Sequence, residues 1–242
     1  MKLLIDGDIV CMRAAFSAED EPEAWVACSR AEATVDEMCQ ALGATEKELW
    51  LSGSDNFRYG IYPEYKANRI HSKRPRWEKD VKQYMMEHMA ANVSQGCEAD
   101  DMLGVRQMEI DEEWLPRFDA RHDIHSIICT IDKDLDMIPG WHYNFVKKVK
   151  YFVSPEEGLY NFYYQCLVGD TADGIKGVPG IGPKKAERIL REALEEANDE
   201  EAPRRMYDAV LNQYGSYEHF EMSAKCLWIW REMNGVWKDQ YK

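Results

Sequence analysis

Lys2-Leu3-Leu4-Ile5-Asp6-Gly7-Asp8 decides how the rest of the chain is read. An apolar run ends abruptly in an acid and a glycine, which predicts a strand, then a turn, with carboxylates at the strand's C-terminal end. The arrangement returns twice. Glu48–Leu51 predicts a second strand, with Asp55 four residues on, and Ser126–Ile131 a third, ending in Asp132-Lys133-Asp134. Between them lie segments of helical spacing: Ala31–Leu42, closed by Gly43, then Trp77–Met89 and Glu98–Met108. Trp141–Phe145 and Val149–Val153 predict two further short strands. Strands alternating with helices predict an α/β fold over residues 1–153, a twisted and mostly parallel sheet flanked by helices.

From Ser154 onward the strand signals vanish. Ser154 reads as the N-cap of a helix over Pro155–Val168, Asp170–Gly182 is rich in glycine, and the remainder reads as helical, the pair Trp228 and Trp230 included. Residues 154–242 are therefore expected to form a helical region.

The chain has 242 residues, 30 basic and 44 acidic, for a net charge of −14. With 45% hydrophobic and 31% charged residues it is neither disordered nor collagen-like. The net charge argues against nucleic acid, but its distribution argues the opposite. Residues 58–82 carry +5, 141–150 carry +3 and 176–191 carry +4, leaving −26 on the rest. The seven cysteines are scattered without a CxxC pair, which predicts reduced thiols and a cytoplasmic setting. No 18-residue apolar window and no signal-peptide pattern is present, so neither a membrane span nor secretion is expected. A P-loop is missing, and His122 and His125 lack the partners of a zinc site.

Acids at the strand ends line the edge where open α/β sheets bind ligands. Glu98-Ala99-Asp100-Asp101 opens a helix, with Glu98 and Asp101 on one face, and Asp170 and Asp173 repeat that spacing. Single acids at helix starts also complement the helix dipole. Together with Asp6, Asp55, Asp132 and Asp134 they make nine carboxylates on one edge. Two such charges 4 Å apart repel by about 4 kcal/mol at an effective dielectric near 20. Divalent cations would relieve that, and all-oxygen ligation suits Mg²⁺ or Mn²⁺.

Basic and aromatic residues crowd the segment between. If helical, Tyr65-Lys66-Ala67-Asn68-Arg69 puts Lys66 and Arg69 on one face, and Lys73, Arg74 and Arg76 follow. Such charge suits a scissile phosphate beside the acids, although a solvated loop has the same composition. The run Gly174–Lys185 holds Gly177, Gly180 and Gly182, then Pro183 at a helix start, then Lys184 and Lys185. That turn exposes backbone N–H groups to an anion and grips a nucleic-acid backbone without reading its sequence.

The ordered set of Ile5-Asp6-Gly7, Asp55 with Phe57-Arg58, Glu64-Tyr65-Lys66-Ala67-Asn68-Arg69, Glu98-Ala99-Asp100-Asp101, Asp132-Lys133-Asp134 and Gly169–Gly174 with its hairpin resembles the 5′-nuclease family, flap endonucleases and 5′→3′ exonucleases. The likeness is nearest to phage replication exonucleases. It covers residues 6–190 and leaves the last fifty without a match. It implies a PIN-like core, a helical arch at about 56–80 and a helix–three-turn–helix DNA clamp at about 168–192. It implies a first metal held by Asp6, Asp55, Glu98, Asp100, Asp101 and Asp132, and a second held by Asp134, Asp170 and Asp173. Lys66 and Arg69 would meet the scissile phosphate and Tyr65 would stack on the terminal base. The hairpin would hold duplex phosphates with a K⁺ ion.

The resulting expectation is a monomeric, two-Mg²⁺ nuclease, with Mn²⁺ as substitute. It would cut DNA near 5′ ends, at a duplex end, a flap or an RNA primer, during replication. Its rivals are a PIN-like ribonuclease and a non-catalytic DNA-structure-binding protein. Asp8 is an extra acid outside the family pattern.

Overall fold

The protein's structure, a computed structural model, describes residues 1–114, 124–195 and 197–242. His122 lies outside the described residues.

The first half alternates strand and helix: β1 (Lys2–Asp6), α1 (Gly7–Ser17), α2 (Ala24–Leu42), β2 (Glu46–Leu51), α3 (Arg58–Ile61), α4 (Glu78–His88), β3 (Asn92–Val93), α5 (Ala99–Trp114), β4 (Ser126–Cys129), β5 (Gly140–Asn144) and β6 (Val149–Val153). The second half holds α6 (Pro155–Val168), β7 (Gly169–Asp170), β8 (Ile175–Lys176), α7 (Pro183–Leu194), α8 (Ala202–Leu211) and α9 (Tyr217–Leu227). The large sheet runs β3-β2-β1-β4-β5-β6, parallel except for β6. β1 is central, and Leu3, Leu4 and Ile5 are each fully buried, as in a strand covered on both faces. Leu3 and Ile5 pack towards α1, α2 and α4. Leu4 and Ile128 face the opposite core, which continues through Leu103 and Phe162 to the C-terminal helices. The helical region thus shares its core with the sheet.

Several sequence expectations change. No turn follows β1: α1 begins at once, because the Asp6 side chain accepts the Ile9 N–H and caps it. α2 starts at Ala24 rather than at residue 31. Strand pairing does not stop at Ser154, since β7 and β8 form a two-residue antiparallel pair. The expected helical arch over 56–80 contains only the four residues of α3, a 3₁₀ turn over Ala67–His71 and the start of α4. Trp228 and Trp230 are not helical. They follow α9 in an irregular segment that runs back across α5, so close that a Cβ on Gly104 would lie 2.3 Å from the Trp230 carbonyl oxygen. Among the described residues no helix is long and apolar enough to cross a membrane.

Candidate active site

The strand ends and the starts of α5 and α6's following loop meet at one edge of the sheet. Asp6, only 2% exposed, receives hydrogen bonds from the Ile9 N–H at 3.0 Å and the Thr130 hydroxyl at 2.8 Å. Thr130 directly follows β4, and its hydroxyl also accepts the Asp132 N–H at 3.0 Å. Asp132 in turn accepts the Asp134 N–H at 2.9 Å. Burial, with Asp8 and Asp132 nearby, pushes the Asp6 carboxyl up to about 7. Burial and then the charges of Asp6, Asp132 and Glu98 push Asp100 well above the carboxylate range.

A second group adjoins. Burial, then Asp132, Asp170 and Asp173, raises Asp134 to about 7, although Gln165 of α6 donates a hydrogen bond to it. Burial, with Asp173 beside it, also raises Asp170, whose side chain accepts the Ala172 N–H at 2.7 Å. Two overlapping acidic groups therefore exist. One is Asp6, Glu98, Asp100 and Asp132; the other is Asp134, Asp170 and Asp173, and Asp132 acts on both.

Protein cations already bind part of this edge. Lys66 pairs with Glu98 and lies 3.6 Å from Asp173, while Arg69 pairs with Asp173. Burial alone would raise Glu98, but Lys66 and Arg58 outweigh it and hold the carboxyl below its usual range. Lys66 has a left-handed backbone (φ 57°) in front of the 3₁₀ turn, held by its own N–H on the Asp173 carbonyl at 2.8 Å. Such a backbone costs about 1–2 kcal/mol in a residue with a Cβ, so Lys66 and Arg69 share this site by a bend rather than by a helix face.

Three residues expected here are placed otherwise. Asp101 is fully buried, gripped by both Arg58 terminal nitrogens at 2.6 and 2.9 Å and by the backbone N–H groups of Glu98 and Trp230. Both of its oxygens are thereby engaged by Arg58 and the backbone, which ties it to the packing of the segment after α9. Asp55 is exposed and accepts the Gly96 N–H at 3.0 Å, fastening the loop before α5. Tyr65 is 3% exposed, its hydroxyl 2.6 Å from Asp173 and 3.1 Å from Glu98, so its ring cannot stack on a base. The neighbouring Tyr59, edge-on to Tyr65 at 5.8 Å, is 47% exposed and presents the more accessible ring. Asp8, the extra acid, pairs with Lys82 at 3.0 Å and accepts the Ser52 N–H, joining α1 to α4 and the end of β2.

Among the described residues no three His, Cys, Asp or Glu side chains are already arranged as a metal cage. Glu98 and Asp173 are turned onto Lys66, Arg69 and Tyr65 instead. The donor set nevertheless fits hard divalent cations. It is all oxygen, and Asp6, Asp100 and Asp134 are held up by burial and by neighbouring carboxylates, which at Asp100 outweigh the charge of Lys66.

The glycine segment divides. Gly180 (φ 75°) and Gly182 are exposed with open space around them, Gly182 precedes Pro183 of α7, and Lys184 and Lys185 are exposed. Gly177 is half-buried, and a Cβ there would lie 2.2 Å from the Val168 carbonyl carbon, so it also lets β8 approach the end of α6. Lys73 and Arg74 are exposed but pair with Glu19 and Glu78, and Arg76 lies 4.1 Å above the Trp77 ring.

No spacing or composition signal marks Arg58, Thr130 or Gln165 as part of this site. Arg58 stood in the Phe57-Arg58 pair that signalled the family, which was the one available hint.

No protein-family profile matches the chain. It is 29% identical over 161 residues to a flap endonuclease Xni of Shewanella pealeana, 59% of this chain and 57% of that protein. The matched part is thus under two thirds of that relative's length. It is 25% identical over 214 residues to the flap endonuclease of Escherichia phage T5, covering 78% of this chain and 69% of the other. The fold superposes on the T5 D15 flap endonuclease, solved as a pseudo-enzyme-product complex with DNA and metal ions, with a TM-score of 0.61 and 17% identity over 93% of this chain and 89% of that one.

Proposed function

We propose that this chain, which belongs to the 5′-nuclease family, hydrolyses DNA phosphodiesters near 5′ ends in a divalent-metal-dependent reaction. Primer removal or strand degradation in replication is the role, by a monomer in the cytoplasm. The observation that carries the reading is the pair of overlapping carboxylate groups that share the field of Asp132 beside Lys66 and Arg69.

Asp6, Glu98, Asp100 and Asp132 would hold one Mg²⁺, and Asp134, Asp170 and Asp173 the second, with Mn²⁺ as substitute. When bound, the pair supplies an activated water and neutralises charge on the leaving oxygen. Lys66 and Arg69 would exchange their carboxylate partners for the scissile phosphate and stabilise the charge that develops there. Thr130 keeps Asp6 and Asp132 in register, and Gln165 does the same for Asp134. Gly180, Gly182, Lys184 and Lys185 would hold duplex phosphates, with a K⁺ ion at the turn, and Lys73, Arg74 and Arg76 would line the incoming strand.

The test is a substrate panel of 5′-recessed duplex DNA, flap DNA and single-stranded RNA, each with Mg²⁺ or EDTA. Mg²⁺-dependent DNA cleavage supports the reading. Cleavage of RNA alone would favour the PIN-like ribonuclease, and binding without cleavage the structure-binding protein.

A further inference from the structure

The stretch Asn144–Lys150 carries charge that the carboxylate site does not use. β5 runs parallel to β4, so its end at Asn144 points to the same edge as Asp6 and Asp132. The chain then turns over residues 145–148 and returns as β6. The connection to the site is direct. The Thr130 N–H bonds the Tyr143 carbonyl at 3.2 Å, while the Thr130 hydroxyl bonds Asp6. With strands ~4.8 Å apart and ~3.3 Å of rise per residue, the tip stands roughly 10–15 Å from Asp132. A duplex advances ~3.4 Å per base pair, so that distance is about three or four base pairs.

The tip is exposed and uncompensated. Val146, Lys147, Lys148, Val149 and Lys150 are all exposed. Among the described residues none of the three lysines pairs with a carboxylate, although acids outnumber bases 44 to 30 in the chain. The turn is shaped rather than slack: the Asn144 side chain accepts the Lys147 N–H at 2.9 Å, and Lys148 is left-handed at φ 55°. Lys150 lies 5.0 Å above the Trp141 ring. Lysines on an edge strand also deter pairing between sheets, which accounts for Lys150 on β6 but not for two lysines within the turn.

We propose that the β5–β6 hairpin is a second phosphate-binding element, in which Lys147, Lys148 and Lys150 hold the DNA backbone a few base pairs from the carboxylate edge. This rests on the nuclease reading above and extends its substrate contact to a surface on the far side of β4 from β1. Such contacts are electrostatic and independent of sequence.

The experiment compares wild type with a Lys147→Ala/Lys148→Ala/Lys150→Ala variant and with a triple Lys→Arg variant. Binding of a 5′-recessed duplex is followed by anisotropy in EDTA over a range of KCl, and cleavage is followed in Mg²⁺. Each lost contact lowers the slope of log K against log salt by about 0.9. The alanine variant should therefore lose a slope of about 2 to 3 and bind at least tenfold more weakly at 0.1 M salt. Its kcat at saturating DNA should stay within twofold, and the arginine variant should behave as wild type. A wild-type slope in the alanine variant, or self-association with DNA affinity unchanged, overturns the hairpin contact while leaving the nuclease reading intact. Wild type that neither binds nor cleaves DNA overturns both.

Discussion

Arg58 and Asp101 form a buried two-point ion pair, 3% and 0% exposed in their side chains, that ties three distant parts of the chain together. Arg58 also donates to the carbonyl oxygens of Cys226 at 2.7 Å and Trp228 at 2.9 Å, and Asp101 receives the Trp230 N–H. Phe57 stacks on Trp230 at 5.0 Å. The pair thereby sets Glu98 and the start of α5, which carries Asp100, against the returning C-terminal segment.

Breaking one side of a buried pair strands the other charge and costs about 3–5 kcal/mol. Arg58→Met should lower the melting temperature by on the order of 10 °C in a chain of this size. Asp101→Asn should destabilise in the same direction. If Asp101→Asn melts as wild type does and loses only activity, the acid is a metal ligand after all and its structural assignment is wrong.

Asp132→Asn has a different outcome. The charge of Asp132 reaches both acidic groups, raising Asp6 in one and Asp134 in the other. The variant should fold normally and lose at least 100-fold in turnover, with Mn²⁺ affinity weakened when followed by electron paramagnetic resonance. Near-normal turnover with a normal melting curve would sink the assignment of the site.

Lys66 should separate binding from chemistry. Lys66→Ala removes a partner of Glu98 and so should bind Mn²⁺ several-fold more tightly in the absence of DNA, yet cleave at least tenfold more slowly with KM little changed. A higher KM with unchanged kcat would reduce Lys66 to a tether.

Glu48 gives a pH signature away from the site. Hydrogen bonds from Arg106, outweighing burial, and from Lys2 hold its carboxyl down at about 2. A depressed acid adds stability above its unfolded value near 4.5, and that stability disappears as the pH falls towards 2. Glu48→Gln should cost about 1–2 kcal/mol at pH 7, discounted for partial exposure, and nothing near pH 2. Urea unfolding at the two pH values measures the difference, and an equal cost at both would point to packing rather than charge.

Acids at strand ends were legible because a buried strand is a continuous apolar run and its end is marked by the first charge. Asp6 and Asp132 were found that way, and the segregation of charge pointed to the Lys66–Arg69 segment and the hairpin turn. What spacing could not show is which acids keep their oxygens free. Asp101 lies one residue from Asp100, yet burial against Arg58, far off in sequence, gives it another task. Nor does spacing show that the Tyr65 ring is buried, with its hydroxyl on Asp173 and Glu98. The last segment was opaque because its order comes from long-range contacts to α5 and Arg58 rather than from periodicity. α1 was hidden because Asp6 serves two purposes, as a strand end and as a helix cap.

The measurement that bears most directly on the central claim uses duplex DNA labelled separately at its 5′ and 3′ ends, digested with Mg²⁺ or EDTA and resolved by length. The account predicts that in Mg²⁺ the 5′ label is released early as short products while the 3′-labelled strand shortens from its 5′ side, and that EDTA abolishes both. Digestion from the 3′ end, or cleavage that persists in EDTA, would contradict it.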